Sequence, residues 1–355
     1  MDVEIVPFDP KTASPEAWAR FHAYRRLRHR ETDPGDPDWG DTTVEAWMRR
    51  GHPHWESFRF SVLEPGRPEV QIGEVSCEAS RPGAPPHEMN KHLIGVGVEL
   101  LRPYRRKGMG RSMLRTVVEV AEAHDRSVVE SWAEEDEGKA AAKAIGARVV
   151  QTRYENRLSL DAVDWAMVGR WVAEGPVRSP STALCWFRDR VPEDIIEEYS
   201  RAFTEVFNQQ PFGESSFRGI VTTPEAFRDR AAMNADIGGT WLGAYTQEPD
   251  GRISGLTEMF YVPDQPTFLG QGMTGVRNQD RGRGLGKWVK AAMLLRVRAE
   301  LPQACVVRTG NATENAAMLS INNRLGFRPH KNPVIVEITV DALKEYLART
   351  GAAKP

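Results

Sequence analysis

Residues 274–288 have the sequence TGVRNQDRGRGLGKW, and the fold prediction begins from this segment. The apolar run at 268–276, which leads into it, predicts a β-strand. An amphipathic helix is predicted to follow, because apolar residues recur there at helical spacing. These residues are Leu285, Trp288, Val289, Ala292 and Leu295. The sequence therefore predicts a strand, a glycine-rich turn and a helix start in succession.

This turn has the features of an anion-binding site. The N–H groups of a first helical turn have no partners within the helix, and the positive end of the helix dipole lies there. Arg281 and Arg283 add positive charge, while Gly282, Gly284 and Gly286 leave the backbone accessible to a ligand. We therefore predict that a pyrophosphate binds here. The alternative is an ordinary surface turn.

Two common phosphate-binding motifs do not fit this turn. A Walker loop requires Ser or Thr after its lysine, but Trp288 follows Lys287. The dinucleotide motif requires a third glycine, which is absent after Gly286. The pattern that fits is Arg-x-x-Gly-x-Gly, formed by Arg281, Gly284 and Gly286. This pattern resembles the coenzyme A pyrophosphate loop of the GNAT N-acetyltransferase superfamily.

A second segment supports the same resemblance. A β-branched run at 306–309 is followed by a turn and by a predicted helix that closes at Gly326. In the GNAT superfamily an Asn at the start of this helix binds the pantetheine arm, and Asn315 occupies that position. Asn311 lies at the end of the preceding strand. The alternative role for both Asn residues is capping of the turn and helix.

The resemblance implies acetyl-coenzyme A as the co-substrate. The backbone near Gly275 and Val276 would bond the acyl carbonyl and polarise it, as an oxyanion hole does. The complete predicted cofactor-binding set is Thr274, Gly275, Val276, Arg281, Gly282, Arg283, Gly284, Leu285, Gly286, Lys287, Asn311, Asn315 and Met318.

The composition of the chain argues against several classes of binding partner. The formal net charge of −2 argues against a nucleic-acid partner. No apolar run approaches the length that spans a bilayer, and the N-terminus lacks the pattern of a signal peptide, so we expect a cytoplasmic protein without membrane association. The three cysteines lie far apart and form no CxxC pair, so no metal site is predicted.

The first half of the chain contains a second copy of the glycine-rich motif. Arg105 and Gly110 each lie 176 residues before their counterparts Arg281 and Gly286, which predicts an internal duplication. A possible second cofactor site therefore consists of Arg105, Arg106, Gly108 and Gly110.

The two copies differ at the position that matches Asn315. Glu135 occupies it in the first copy, within the acidic segment 134–137. Carboxylates at this place would repel an anionic cofactor. We therefore expect the first domain to be mainly structural.

The resemblance implies an α/β (α+β) fold of two fused GNAT-like domains, each a mixed and mostly antiparallel sheet flanked by helices. The sequence predicts an N-terminal domain at 1–160, a helix and linker at 161–180, and a catalytic C-terminal domain at 181–355. The tandem arrangement is similar to that of mycothiol synthase.

The resemblance also implies transfer of an acetyl group to a primary amine of a small molecule by direct attack. Direct attack requires a neutral amine, so we expect a general base. Glu258 is the candidate, because apolar strand neighbours would raise its pKa. The alternative is a solvent-facing charge on a strand.

One position departs from the superfamily pattern. Many members place a Tyr seven residues after the Asn, where it protonates the departing thiolate, but this position holds Asn322. Tyr261 is the candidate acid, with solvent as the alternative. The departure supports a second hypothesis, a non-catalytic acyl-coenzyme A-binding or sensory protein.

Overall fold

The computed structural model describes residues 3–351. The chain divides into two compact units. Within the described range, the first unit contains residues 3–151, 214–217 and 333–351, and the second contains residues 152–213 and 218–332. No helix between residues 3 and 351 is long and apolar enough to cross a bilayer.

The first part of the described chain contains five strands and five α-helices. They are β1 (Ile5–Pro7), α1 (Pro15–Thr32), α2 (Asp41–Arg50), β2 (Trp55–Glu64), β3 (Arg67–Ser80), α3 (His87–Asn90), β4 (Leu93–Leu100), α4 (Met109–Ala123), β5 (Val128–Ala133) and α5 (Asp136–Ile145).

Eight strands and six α-helices follow in the described remainder. Its elements are β6 (Arg148–Ser159), α6 (Trp165–Arg178), β7 (Ala183–Arg188), α7 (Ile196–Asn208), α8 (Pro224–Asp236), β8 (Thr240–Gln247), β9 (Ile253–Tyr261), β10 (Phe268–Val276), α9 (Leu285–Glu300), β11 (Val306–Ala312), α10 (Ala316–Leu325), β12 (Arg328–Lys331), β13 (Val334–Thr339) and α11 (Val340–Gly351).

The sheet of the first unit has the strand order β1-β2-β3-β4-β5-β13. Its neighbouring strands are antiparallel, except β4 and β5, which are parallel. Strand β13 comes after the second unit in the chain, yet it pairs with β5 from Val334 to Thr339. Met113 and Val117 of α4 and Leu343 of α11 are fully buried in the core of this unit.

The sheet of the second unit has the order β6-β11-β10-β9-β8-β7, with β12 also paired to β6. Only the pair of β10 and β11 is parallel. Apolar side chains of α6 and α9 form one core cluster with the sheet, and those of α7 and α8 form another. Both units therefore have the mixed, mostly antiparallel sheet that was predicted.

Helix α6 continues to Arg178 through Gly175-Pro176, a dipeptide typical of linkers. Packing requires glycine at position 175, because a β-carbon there would lie 2.1 Å from the Trp288 ring. The proline lies near the end of the helix, where the loss of one hydrogen bond disrupts little. The boundaries predicted for the two domains stay a prediction.

Replacing Gly175 with Ala should destabilise the second unit by about 1–3 kcal/mol, because the new methyl group overlaps Trp288. The matched control is Gly169→Ala in the same helix, where a β-carbon meets nothing within 4 Å. That change should be neutral or stabilising by about 0.5–1 kcal/mol. Thermal and urea unfolding measure both effects, and equal stabilities of the two variants would contradict the packing argument.

Candidate functional site

The two parallel strands of the second unit separate after three paired residues. Strand β10 pairs with β11 from Phe268 to Gly270, then continues unpaired on that side to Val276. Strand β11 remains paired with β6 along its whole length, as far as Ala312. Backbone N–H and C=O groups of β10 therefore face an opening between the two strands, where a ligand can bond them.

A β-bulge lies in β10 beside this opening. Gln271 pairs with Met259 and Thr274 pairs with Thr257, so two residues of β10 oppose the single residue Glu258. A bulge bends its strand and takes backbone groups out of the ladder. The Gln271 side chain donates to the Glu258 carbonyl oxygen at 2.6 Å, which satisfies one of the groups that the bulge displaces.

The glycine-rich turn leads from β10 into α9, as the sequence predicted. Gly282 and Gly284 have φ angles of 82° and 84°, in the left-handed region that favours glycine. Gly284 is the N-cap and carries no side chain to bond the first-turn N–H groups of Leu285, Gly286 and Lys287. These donors therefore have no side-chain cap, as the predicted anion site requires.

The predicted arginines of the turn have different partners. Arg281 is exposed and donates to Gln209 at 3.4 Å. Arg283 is held by Glu248 and Asp280, each at 3.0 Å, so its charge is balanced within the protein. A cation that sequence reasoning missed, Arg178 at the end of α6, donates to the carbonyl oxygens of residues 282 and 283.

The end of β10 is fixed by packing. A β-carbon at Gly275 would lie 2.3 Å from Val206 of α7, so only glycine fits there. The hydroxyl of Thr274 is hydrogen-bonded to that of Thr257 at 2.7 Å. Helix α7 therefore covers one face of the strand at the position where the resemblance implies an acyl group.

Both predicted Asn residues have structural partners. Asn315 is the N-cap of α10, and its Oδ1 accepts from the Met318 N–H at 3.2 Å. Asn311 is buried at the end of β11, where its Oδ1 accepts from Asn322 at 2.8 Å. Capping therefore occurs at Asn315, and its amide N–H groups remain able to donate to a ligand.

A buried lysine contacts Asn322, the residue that replaces the expected Tyr. Lys290 of α9 is 1% exposed, and its ammonium donates to Asn322 Oδ1 at 2.5 Å. The Met318 sulfur lies 3.9 Å from the same nitrogen, and the Phe327 ring centroid lies 4.9 Å from it. Burial lowers the pKa of Lys290 to about 7. Burial therefore opposes the positive charge of this side chain.

Glu258 is a buried carboxylate rather than a solvent-facing charge. It is 1% exposed, and it accepts from the Tyr199 hydroxyl at 3.1 Å and from Arg230 at 3.4 Å. Burial raises the pKa of Glu258, and Arg230 and Tyr199 oppose this shift. A β-carbon at Gly272, in the bulge, would lie 3.2 Å from Glu258 Oε2. The carboxylate is therefore adjacent to the bulge.

Tyr261 and Glu258 lie on opposite faces of β9, because side chains alternate along a strand. Tyr261 packs against the core cluster that contains α6 and α9. Tyr199, which donates to Glu258, belongs to the cluster of α7 and α8. The structure therefore does not bring the two predicted catalytic side chains together.

The first unit repeats the backbone of the glycine-rich turn. Arg106 and Gly108 have φ angles of 61° and 85°, so both copies have left-handed residues at the same two places. Gly108 is the N-cap of α4, without a capping side chain, and Gly110 lies in the first turn of that helix. The first unit therefore repeats the backbone conformation of the turn and has no side-chain cap at the helix start.

The arginines of the first unit converge on Glu135. Its carboxylate accepts from Arg28 at 2.8 Å, from Arg105 at 2.9 Å and from Arg102 at 3.0 Å. Although burial favours the neutral acid, these bonds lower the pKa of Glu135 to about 2. The carboxylate therefore neutralises Arg105, the arginine that matches Arg281.

Strand β4 of the first unit also lacks the bulge. Its pairing with β3 is regular from Gly95 to Leu100. The parallel pairing begins at Leu93 in the first unit and at Phe268 in the second, and these two residues lie 175 positions apart in the sequence. The matching arginines, Arg105 and Arg281, lie 176 positions apart. The second unit therefore has one additional residue between these points, and the bulge of β10 accommodates it.

Comparisons with known proteins agree with this architecture. No family model and no curated protein sequence matches the chain. Among solved structures, a GCN5-related N-acetyltransferase from Sphaerobacter thermophilus has a TM-score of 0.61 at 14% identity, covering 95% of this chain and 96% of that one. A glucosamine N-acetyltransferase region of a fungal multi-domain β-N-acetylglucosaminidase has a TM-score of 0.63 at 9% identity, over 95% of this chain and 38% of that one.

The fold is therefore that of two fused GNAT domains. A tandem GNAT protein from the clavulanic acid biosynthesis pathway, in a structure without acetyl-coenzyme A, has a TM-score of 0.74 at 23% identity. The similarity covers 95% of this chain and 98% of that protein.

Sequence reasoning missed Lys290, Tyr199 and Arg230. The signal for Lys290 was present, because this lysine lies on a stripe of α9 with Met293 and Val297 at helical spacing, and both are fully buried. Tyr199 and Arg230 lie on α7 and α8, far from Glu258 in sequence. No local pattern could have indicated their contacts.

Lys290→Met should raise the Tm more at about pH 6 than at about pH 10. Burial lowers the pKa of Lys290 from 10.5 to about 7, so between these values the unfolded chain binds an additional proton. Wild-type stability therefore rises with pH across this window, and the variant loses that contribution. Parallel Tm–pH curves for the two proteins would contradict the assignment.

Proposed function

We propose that the second unit is an acetyl-coenzyme A-dependent N-acetyltransferase that acts on a primary amine of a small molecule. The observation that carries the proposal is the opening between β10 and β11, which lies next to the uncapped helix start after Gly284. An anionic cofactor bound at this helix start can extend its thioester arm along the unpaired edge of β10. The GNAT fold supports acyl transfer in general.

The first-turn N–H groups of α9 and the side chain of Arg281 would hold the pyrophosphate. The amide of Asn315 would donate to the pantetheine arm. Backbone N–H groups on the unpaired edge of β10, near Gly275 and Val276, would bond the thioester carbonyl and stabilise the oxyanion that forms when the amine attacks. These donors are fixed by the sheet and by packing against Val206, so little reorganisation is needed.

Glu258 is proposed as the general base. The amine nitrogen attacks the carbonyl carbon, Glu258 removes a proton from that nitrogen, and the C–S bond then breaks to release a thiolate. Asn322 cannot protonate the thiolate, but the ammonium of Lys290, bonded to Asn322, carries a proton at this position. The predicted role of Tyr261 as the acid remains a prediction.

The second candidate function is a non-catalytic acyl-coenzyme A-binding or sensory protein. Asn322 in place of Tyr favours this hypothesis, and so does the nearly complete burial of Glu258. Both hypotheses require coenzyme A binding in the second unit, and they differ only in turnover. The binding site and the chemistry therefore need separate experiments.

Calorimetric titration with acetyl-coenzyme A should give one site per chain. Gly284→Val should abolish binding, because the substitution strains a left-handed residue at the helix start. The matched control is Gly108→Val, which is equally strained at φ 85° against 84° and should leave binding unchanged. Two sites would show that Glu135 does not block the first unit, and absence of binding would overturn the proposed function.

Glu258→Gln should lower turnover of acetyl-coenzyme A with a panel of primary amines by about 10²–10⁴-fold, the usual contribution of a general base. Because only the carboxylate form accepts a proton, the wild-type rate should rise with pH through the raised pKa of Glu258, and the variant should lose this rise. Coenzyme A affinity should not change. An unaltered pH profile would remove Glu258 from the mechanism, and absence of turnover in the wild type would favour the second candidate.

A further inference from the structure

Two cations of the second unit lie over the same tryptophan ring. The Lys287 ammonium, in the first turn of α9, lies 5.6 Å from the centre of the Trp171 ring. The Arg324 guanidinium, in the last turn of α10, lies 4.6 Å from the same centre. Trp171 itself belongs to α6 and is 4% exposed. Three helices therefore contribute one side chain each to a group that we call the Trp171 cluster.

Packing holds this cluster beside the start of α9. On one side of the helix, Trp288 packs against Gly175 of α6. On the other side, a β-carbon at Gly286 would lie 3.5 Å from Ile321 of α10. Both contacts come from the first four residues of α9, which also include Lys287. The Trp171 cluster therefore lies next to the uncapped N–H groups at the start of this helix.

The two charges of this cluster are not balanced by acidic side chains of residues 3–349. The side chains of Lys287 and Arg324 form no ion pair and no hydrogen bond in this range, and Glu174, one turn after Trp171 in α6, pairs with neither of them. A single cation over an aromatic ring is common and needs no ligand. Two cations on one ring repel each other, and a bound anion would balance both.

The first unit lacks one of the two cations. The C-caps of α5 and α10 are both left-handed glycines, and counting back from them places Ala144 at the position of Arg324. The third residue of α4, Arg111, corresponds to Lys287. The complete arrangement is therefore specific to the unit for which cofactor binding is proposed.

We propose that the Trp171 cluster binds a phosphate monoester, the 3′-phosphate of coenzyme A. Lys287 and Arg324 bind the dianion through charge-assisted hydrogen bonds, and Trp171 positions both cations. In coenzyme A the ribose that carries this phosphate is joined directly to the pyrophosphate, so the two anionic groups of the cofactor lie close together. The inference rests on the proposed function, because it adds a contact to the same cofactor.

The test is calorimetric titration of the full chain with coenzyme A and with 3′-dephospho-coenzyme A, which lacks only this phosphate. Coenzyme A should bind about tenfold or more tighter, because the charge-assisted contacts are lost with the phosphate. Equal affinities for the two ligands would overturn this inference and leave the proposed function intact. Absence of binding of both ligands would overturn the proposed function, and the inference with it.

Variants locate the phosphate. Lys287→Gln and Arg324→Gln should each weaken coenzyme A binding about fivefold to tenfold and leave the affinity for the dephospho form unchanged. That unchanged affinity also shows that the variants fold. The matched control is Arg298→Gln, because Arg298 lies 4.7 Å from the Trp165 ring at the other end of α9, and it should bind both ligands like wild type. An equal loss of affinity for both ligands in the first two variants would overturn the assignment.

A free phosphate ion is the other source of the same chemistry. Inorganic phosphate lacks the rest of the cofactor, so it should bind at least about a hundredfold more weakly than coenzyme A. Binding of inorganic phosphate that is lost in Arg324→Gln, together with equal binding of coenzyme A and its dephospho form, would show that the cluster takes a free ion. That result would overturn the assignment to the 3′-phosphate.

Discussion

The burial of helix α9 is the constraint on which the second unit depends. Residues on almost every side of this helix are buried, including Leu285 at its first turn and Val297 near its end. Trp288 packs against Gly175 of α6, which fixes the rotation of the helix. Because the helix cannot turn or slide, its first-turn N–H groups remain at the end of β10. An anion site made of backbone donors needs this rigidity, since it has no side chains that could readjust.

The same burial explains the position of Lys290. Lys290 lies on a buried face of this helix, so its ammonium needs a partner inside the protein. Asn322 supplies that partner, and Asn311 in turn accepts from Asn322. A chain of polar side chains therefore connects α9, α10 and the end of β11. Its members hold the two helices that flank the opening.

Much of the fold could be predicted from local patterns. The strand, turn and helix around residues 274–288 form as expected, because periodicity and left-handed glycines act over few residues. The continuation of α6 through Gly175-Pro176 could not be predicted, since the reason for the glycine is a tryptophan more than a hundred residues away. The hydrogen-bond partners of Glu258 also could not be predicted from the residues near it in the sequence. Its apolar neighbours indicated burial, but the hydrogen bonds come from α7 and α8.

The two units show how one fold can keep its backbone while its chemistry changes. Both retain a left-handed turn before a buried helix. In the first unit Glu135 neutralises Arg105, and β4 has no bulge. In the second unit one additional residue forms a bulge in β10 beside the buried carboxylate of Glu258. A single inserted residue and a single carboxylate thus account for the main contrasts between the two candidate sites.

The pairing of β13 with β5 has a consequence for biosynthesis. The ribosome makes residues 333–351 only after the whole second unit, yet these residues complete the sheet and core of the first. During translation one edge of β5 therefore remains unpaired until about two hundred further residues have been synthesised. A premature stop near residue 330 would consequently harm the unit that was synthesised first.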